Sequence, residues 1–133
     1  MKNQVLSIKQ MQHLKELGVD RKQASMCRVT DKRGKTRLVV HSLQCYDDKK
    51  YVTRIPAFTA QDILNLLPIK ITKADGSRFY LNVVFPNDDM WEISYSYLGS
   101  ILEWFVHKEL LTAAYKMLCW CAENGYVKTK KED

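Results

Sequence analysis

Apolar residues recur at helical spacing through Glu109 to Asn124, and placing residues about 100° apart stacks Leu110, Ala114, Met117 and Cys121 on one line. Leu111, Leu118 and Ala122 flank that line on one side, Ala113 and Trp120 on the other. Polar positions shrink to Lys108, Thr112, Lys116 and Glu123, a pattern that predicts a helix lying in a groove rather than on an open surface. Gly125 is placed to end it, with Tyr126 folding back on the last turn. Cys119 falls near the polar stripe and Cys121 toward the core. A second amphipathic stripe, Ile8, Met11, Leu14 and Leu17, follows Ser7 and Gln10 at capping-box spacing and predicts a helix over about residues 8 to 17. A third start is written as Phe58-Thr59-Ala60-Gln61-Asp62-Ile63, with Thr59 as N-cap, Asp62 three residues on, and Phe58 stapled to Ile63. Pro68 limits this helix to about two turns.

Between these segments the period changes to two. Residues 24 to 43 hold two β-like runs divided by Asp31-Lys32-Arg33-Gly34-Lys35, a hairpin with Arg28, Arg33, Lys35 and Arg37 crowding its tip. Tyr51 to Ile55 offers a further short strand after a polar stretch in which Asp47-Asp48 marks a turn. Ile69 to Thr72, Arg78 to Phe85 and Met90 to Tyr97 form a meander turned at Ala74-Asp75-Gly76-Ser77 and at Pro86-Asn87-Asp88-Asp89. Phe79, Leu81, Val83 and Phe85 alternate with polar residues, as do Trp91, Ile93, Tyr95 and Tyr97, so one face packs on helices and the other is at least partly wet. Residues 100 to 107 fit strand, loop or helix start; extended structure, with the helix from about Lys108, is the preferred reading. The expected fold is α+β, a mainly antiparallel sheet packed against a C-terminal helix in the order α-β-β-α-β-β-β-α. A single domain is expected over residues 1 to 127, with a charged, frayed tail at 128 to 133.

Composition narrows the class. At 46% hydrophobic and 27% charged, 133 residues can bury a core without staples. No run has the length of a secretory signal or a membrane span, so the expected location is cytoplasmic, with no membrane partner. The four cysteines, Cys27, Cys45, Cys119 and Cys121, are then expected as thiols. The net charge of +6 divides into +8 over residues 1 to 54 and −2 over the rest. A basic half of this kind fits a phosphate-facing surface built from Arg28, Arg33, Lys35 and Arg37, or equally a row of cations that keeps a sheet edge unpaired. The second is preferred, since no recognition helix or aromatic platform accompanies the charge.

The five glycines, at 18, 34, 76, 99 and 125, make no phosphate loop. His107-Lys108-Glu109 with Cys119-Trp120-Cys121 is a distant echo of a zinc deaminase, but helix residues two apart point about 200° away from each other and cannot share one zinc. Asp47-Asp48 and Asp88-Asp89 read as turn residues. Cys119 is the exposed candidate for a thiol nucleophile, with His107 or His41 as base, yet it lies mid-helix, away from the dipole end that would activate it. No catalytic residue, metal site or cofactor is expected. Trp91, Trp104, Phe105 and Trp120 are an apolar surplus that marks a candidate contact surface for a protein partner or a second copy.

Three blocks, Ile8 to Gly18, Ile55 to Leu64 and Ala113 to Tyr126, resemble a group of small uncharacterised bacterial proteins encoded in prophages and other mobile elements. The resemblance implies a genomic setting and brings no activity or site residue. The reading is therefore a non-enzymatic accessory or interaction protein, with nucleic-acid binding by the basic half as the alternative and a thiol enzyme last.

Overall fold

In a computed structural model that describes residues 4–40, 51–85 and 89–129, the chain is an α+β fold with two antiparallel sheets. The helices begin where local chemistry directs. α1, Ile8–Glu16, carries the Ser7/Gln10 capping box, each side chain taking the other's backbone N–H. α2, Ala60–Leu66, is capped in the same way by Thr59 and Asp62, and Leu67 is already extended ahead of Pro68. α3, Leu110–Glu123, ends with Gly125 at φ +78°, and the Tyr126 N–H reaches back to the Cys121 carbonyl at 2.8 Å.

Strands β1 (Met26–Asp31), β2 (Thr36–Val40) and β3 (Tyr51–Ala57) make a three-stranded sheet in the order β2-β1-β3. Strands β4 (Lys70–Thr72), β5 (Arg78–Val84), β6 (Trp91–Tyr97) and β7 (Ser100–His107) make a meander in sequence order. The expected element order is thus kept and extended by β3 and β7, both anticipated as extended segments. The β1–β2 turn is set by Asp31, whose carboxylate accepts from the N–H groups of Arg33 and Lys35 at 2.9 and 3.0 Å, with Gly34 at φ +82°. His41, Cys45, Asp47, Asp48, the turn residues Pro86 to Asp88 and the end of the tail lie outside the described residues.

One core holds the helices on one face of the four-stranded sheet. Leu6, Met11 and Leu14 meet Phe58, Ile63 and Leu67, and beneath them Ile71, Ile93 and Tyr95 meet Ala113, Ala114, Met117, Leu118 and Cys121 of α3. The groove predicted for α3 is present: seven of its fourteen residues are buried, while Lys116 and Glu123 face solvent. The expected alternation along β5 and β6 holds in the middle, where Phe79, Leu81, Ile93 and Tyr95 join the core. Toward the strand ends Val83, Phe85 and Tyr97 are exposed, Phe85 resting on Trp91 at 4.8 Å between ring centroids. The three-stranded sheet has a small core of its own, Cys27, Val29 and Tyr51 with Val39 against them. It is tied to the larger one by Ala24, by Leu6 N–H to the Phe58 carbonyl at 2.9 Å, and by Arg28.

A candidate contact surface on the four-stranded sheet

Each candidate residue has a definite place. Among the four cations of the hairpin, Arg28 and Arg37 point to opposite faces, because Arg28 pairs with Leu38 and Arg37 with Val29 one register step away. Arg28 is structural: its guanidinium donates to the Leu6 carbonyl at 2.7 Å and latches the N-terminal segment to β1. Arg37 donates to the Tyr51 hydroxyl at 2.9 Å and lies 5.9 Å from its ring centroid. Arg33 and Lys35 are exposed at the tip. The register adds Arg54, across Val29 from Arg37, a neighbour that sequence spacing could not supply. Arg28→Ala is expected to lower stability by about 1–2 kcal/mol, since a charged hydrogen bond is lost and a carbonyl left unsatisfied. Arg33→Ala and Lys35→Ala should stay within about 0.5 kcal/mol. Urea midpoints of the three variants check this; equal effects would mean that the latch does not exist.

Cys27, Cys119 and Cys121 are free thiols as expected, but the expected exposure of Cys119 is corrected. Cys119 is 8% exposed, not open, because the side chain of Tyr115 lies against it one turn back. Burial pushes its thiol up to about 11, and that of Cys121, which sits against Tyr95, up to about 12. The same burial raises the Tyr95 and Tyr115 hydroxyls, and Tyr95 donates to the Pro68 carbonyl at 2.7 Å. His107, the other half of the supposed pair, takes the Glu109 N–H on its Nδ1 at 2.9 Å. Among the described residues no three His, Cys, Asp or Glu side chains converge as metal ligands. Iodoacetamide mapping near pH 7.5 should label Cys119 about a hundredfold more slowly than a free thiol, as two pKa units dictate, and at the free rate in urea. Fast native labelling would mean that the thiol is open. Both thiols lose their protons near their ordinary value of 9.0 once unfolded but hold them higher when folded. Above that value the unfolded chain binds fewer protons, so stability should be full below about pH 9 and fall as pH rises through 11 to 12.

Of the four aromatics, Trp104 is the open one, 52% exposed. Trp91 packs on Phe85, Phe105 on the main core, and Trp120 between Tyr95 and Tyr126 at centroid distances of 6.4 and 5.3 Å. They do not form one patch. The residues that do surround Trp104 are set by the register of the face turned away from α3. Trp104 stands opposite Ser94, itself opposite Asn82; Val106 opposite Glu92 and Val84; Ile101 opposite Ser96 and Tyr80. Ser94 is buried although it belongs to this face, enclosed between Asn82 and Trp104. Val84, Ile101, Trp104 and Val106 are exposed large hydrophobics, and Leu98 at the β6–β7 turn is 86% exposed. Leu98 also takes φ +48°, a left-handed conformation in which a branched side chain is disfavoured and Asn or Gly is usual, ahead of Gly99 at +84°. A strained turn that carries an exposed leucine is a feature the fold alone does not call for. The apolar surplus in the sequence included Trp104 along with Trp91, Phe105 and Trp120 but gave no signal for Leu98 or Val84, since their exposure depends on which face the helices cover.

Comparison with protein families, curated proteins and solved structures returned no match, so the surface has to be read from its own chemistry.

Proposed function

We propose that the protein is a non-enzymatic interaction module that engages another protein chain through the outer face of its four-stranded sheet. One observation carries the reading: the exposed apolar group of Val84, Ile101, Trp104 and Val106 lies on a face that no described element covers, continued at the hairpin tip by a strained, exposed leucine. The buried, proton-retaining thiols favour this over thiol chemistry. Nucleic-acid binding by the basic sheet draws less support, because Arg28 is engaged within the fold and Arg37 is engaged with the Tyr51 hydroxyl, which leaves Arg33 and Lys35 at the tip as the exposed candidates. An accessory role in a prophage or other mobile element belongs to the same proposal and rests on the resemblance of the three sequence blocks.

Site-specific photo-cross-linking in the cells that produce the protein tests the reading. Benzoylphenylalanine at position 104 or 101 should give protein adducts, and at position 32, on the basic hairpin tip, none. Adducts only from position 32, or no preference among the three, would overturn it.

A further inference from the structure

We propose that a second copy of the chain joins this one edge to edge through β7, the strand that carries Ile101, Trp104 and Val106, in antiparallel pairing about a two-fold axis at Phe105, so that the two outer faces continue as one surface; the inference rests on the contact surface proposed above. β7 is eight residues long, stands at the end of its sheet, and pairs with β6 alone among the described residues. Edge strands commonly discourage such pairing with prolines, lysines or a row of cations. β3 carries Arg54 and Pro56 and β2 carries Arg37, whereas β7 has only Glu103 and His107 as ionisable groups. Their positions, two residues either side of Phe105, make the edge self-complementary. A two-fold axis there sets each Glu103 against His107 of the second copy, and each Trp104 against Val106 of the second copy on the outer face.

Two local hydrogen bonds favour this register. The Trp104 N–H donates to the Glu103 side-chain carboxylate at 2.9 Å, which marks it as a donor reachable from the edge. Alternate residues along a strand share that direction, so Val106 presents its backbone groups the same way, and pairing Trp104 with Val106 of the second copy uses both. His107 accepts the Glu109 N–H on Nδ1, which leaves the ring proton on Nε2 as a donor. In the paired state each Glu103 leaves its own Trp104 N–H to the incoming strand and takes the Nε2–H of the opposing His107. Glu103 thus serves as the cap of the solitary edge and as the partner group of the joined one. The joined sheet has eight strands, and its outer face carries both copies of the Trp104 and Val106 pair.

Sedimentation velocity on the full chain from micromolar to near-millimolar concentration tests the pairing. The expected result is a concentration-dependent dimer, with Glu103→Lys and His107→Glu each weakening it about tenfold or more, as like or unpaired charges at a close contact do. The double exchange should recover most of the loss, a result that lost folding or a different register cannot produce. Should either single variant fail to fold by circular dichroism, hydrogen exchange of the native chain decides. The Trp104 and Val106 amides should become protected as concentration rises while Leu38 is unchanged. A monomer across the whole range, a dimer indifferent to both single charge changes, or a folded double exchange that fails to recover would overturn the inference. Were the chain monomeric yet cross-linked to other proteins from positions 104 and 101, the contact surface would stand and the self-pairing alone would fall.

Discussion

Phe58→Ala is expected to cost about 3–5 kcal/mol, the upper range for emptying a buried aromatic site. Its side chain is fully buried where α1, α2 and the end of β3 meet, so the cavity would open at the junction of three elements rather than at a margin able to collapse. Its backbone is also held from both sides. The Phe58 N–H points at the Met11 sulfur at 3.4 Å, and its carbonyl accepts from Leu6 N–H at 2.9 Å. Relaxation into the void would therefore pull on the N-terminal segment as well as on α2. Phe85→Ala provides the contrast: it removes an exposed ring whose ring partner is Trp91, and should cost no more than about 1.5 kcal/mol. Urea denaturation of the two variants measures the difference. A Phe58→Ala loss below about 1.5 kcal/mol would show that the site collapses freely and that the junction is not rigid.

Asp62→Ala should be the next most damaging change, at about 2–3 kcal/mol. The carboxylate is 7% exposed and a single oxygen, Oδ2, receives three donors at 2.9 Å: the N–H and hydroxyl of Ser25 and the N–H of Thr59. Removing it breaks the α2 cap and, in the same stroke, the polar tie through Ser25 between α2 and the approach to β1, leaving donors without an acceptor. Thr59→Ala, which loses one capping bond, should cost about 1 kcal/mol. The two changes share a partner, so their double variant should fall short of the sum; strict additivity would mean that Asp62 acts through Ser25 alone.

Asp62 also shows where the sequence could and could not be read. Its pairing with Thr59 is three residues away and was legible as a capping box; its hold on Ser25 spans 37 residues and leaves no local trace. The same division runs through the fold. Ser7 with Gln10, Gly34, Gly76 and Gly125 announce caps and turns because the constraint and the residue that meets it are neighbours. β7 was ambiguous because Ser-Ile-Leu-Glu-Trp-Phe-Val-His is apolar without a clean period, and its register against β6 shifts between Tyr95 and Ser96. Cys119 was misplaced for a different reason. Helical angles locate a residue around an axis, but Tyr115 shields that angle from solvent. The candidate site suffered likewise: Trp91, Trp104 and Trp120 look alike in sequence, and only the position of α3 decides that Trp104 stays outside.

The separate core of the three-stranded sheet bears on how the molecule comes apart. Cys27, Val29 and Tyr51, with Val39 beside them, bury far less than the layer beneath α3, so this sheet should behave as its own cooperative unit and open at lower free energy than the rest. Amide exchange should show Arg37 and Val39, which pair with Val29 and Cys27 of β1, turning over through sub-global opening while Ile93 and Leu118 wait for complete unfolding; identical opening energies for both groups would mean one unit. The division places the cationic half of the molecule on the yielding part and the apolar contact face on the stiff one. A partner seated on β7 would then add rigidity where it is already greatest, leaving the basic hairpin to open and close at its own pace.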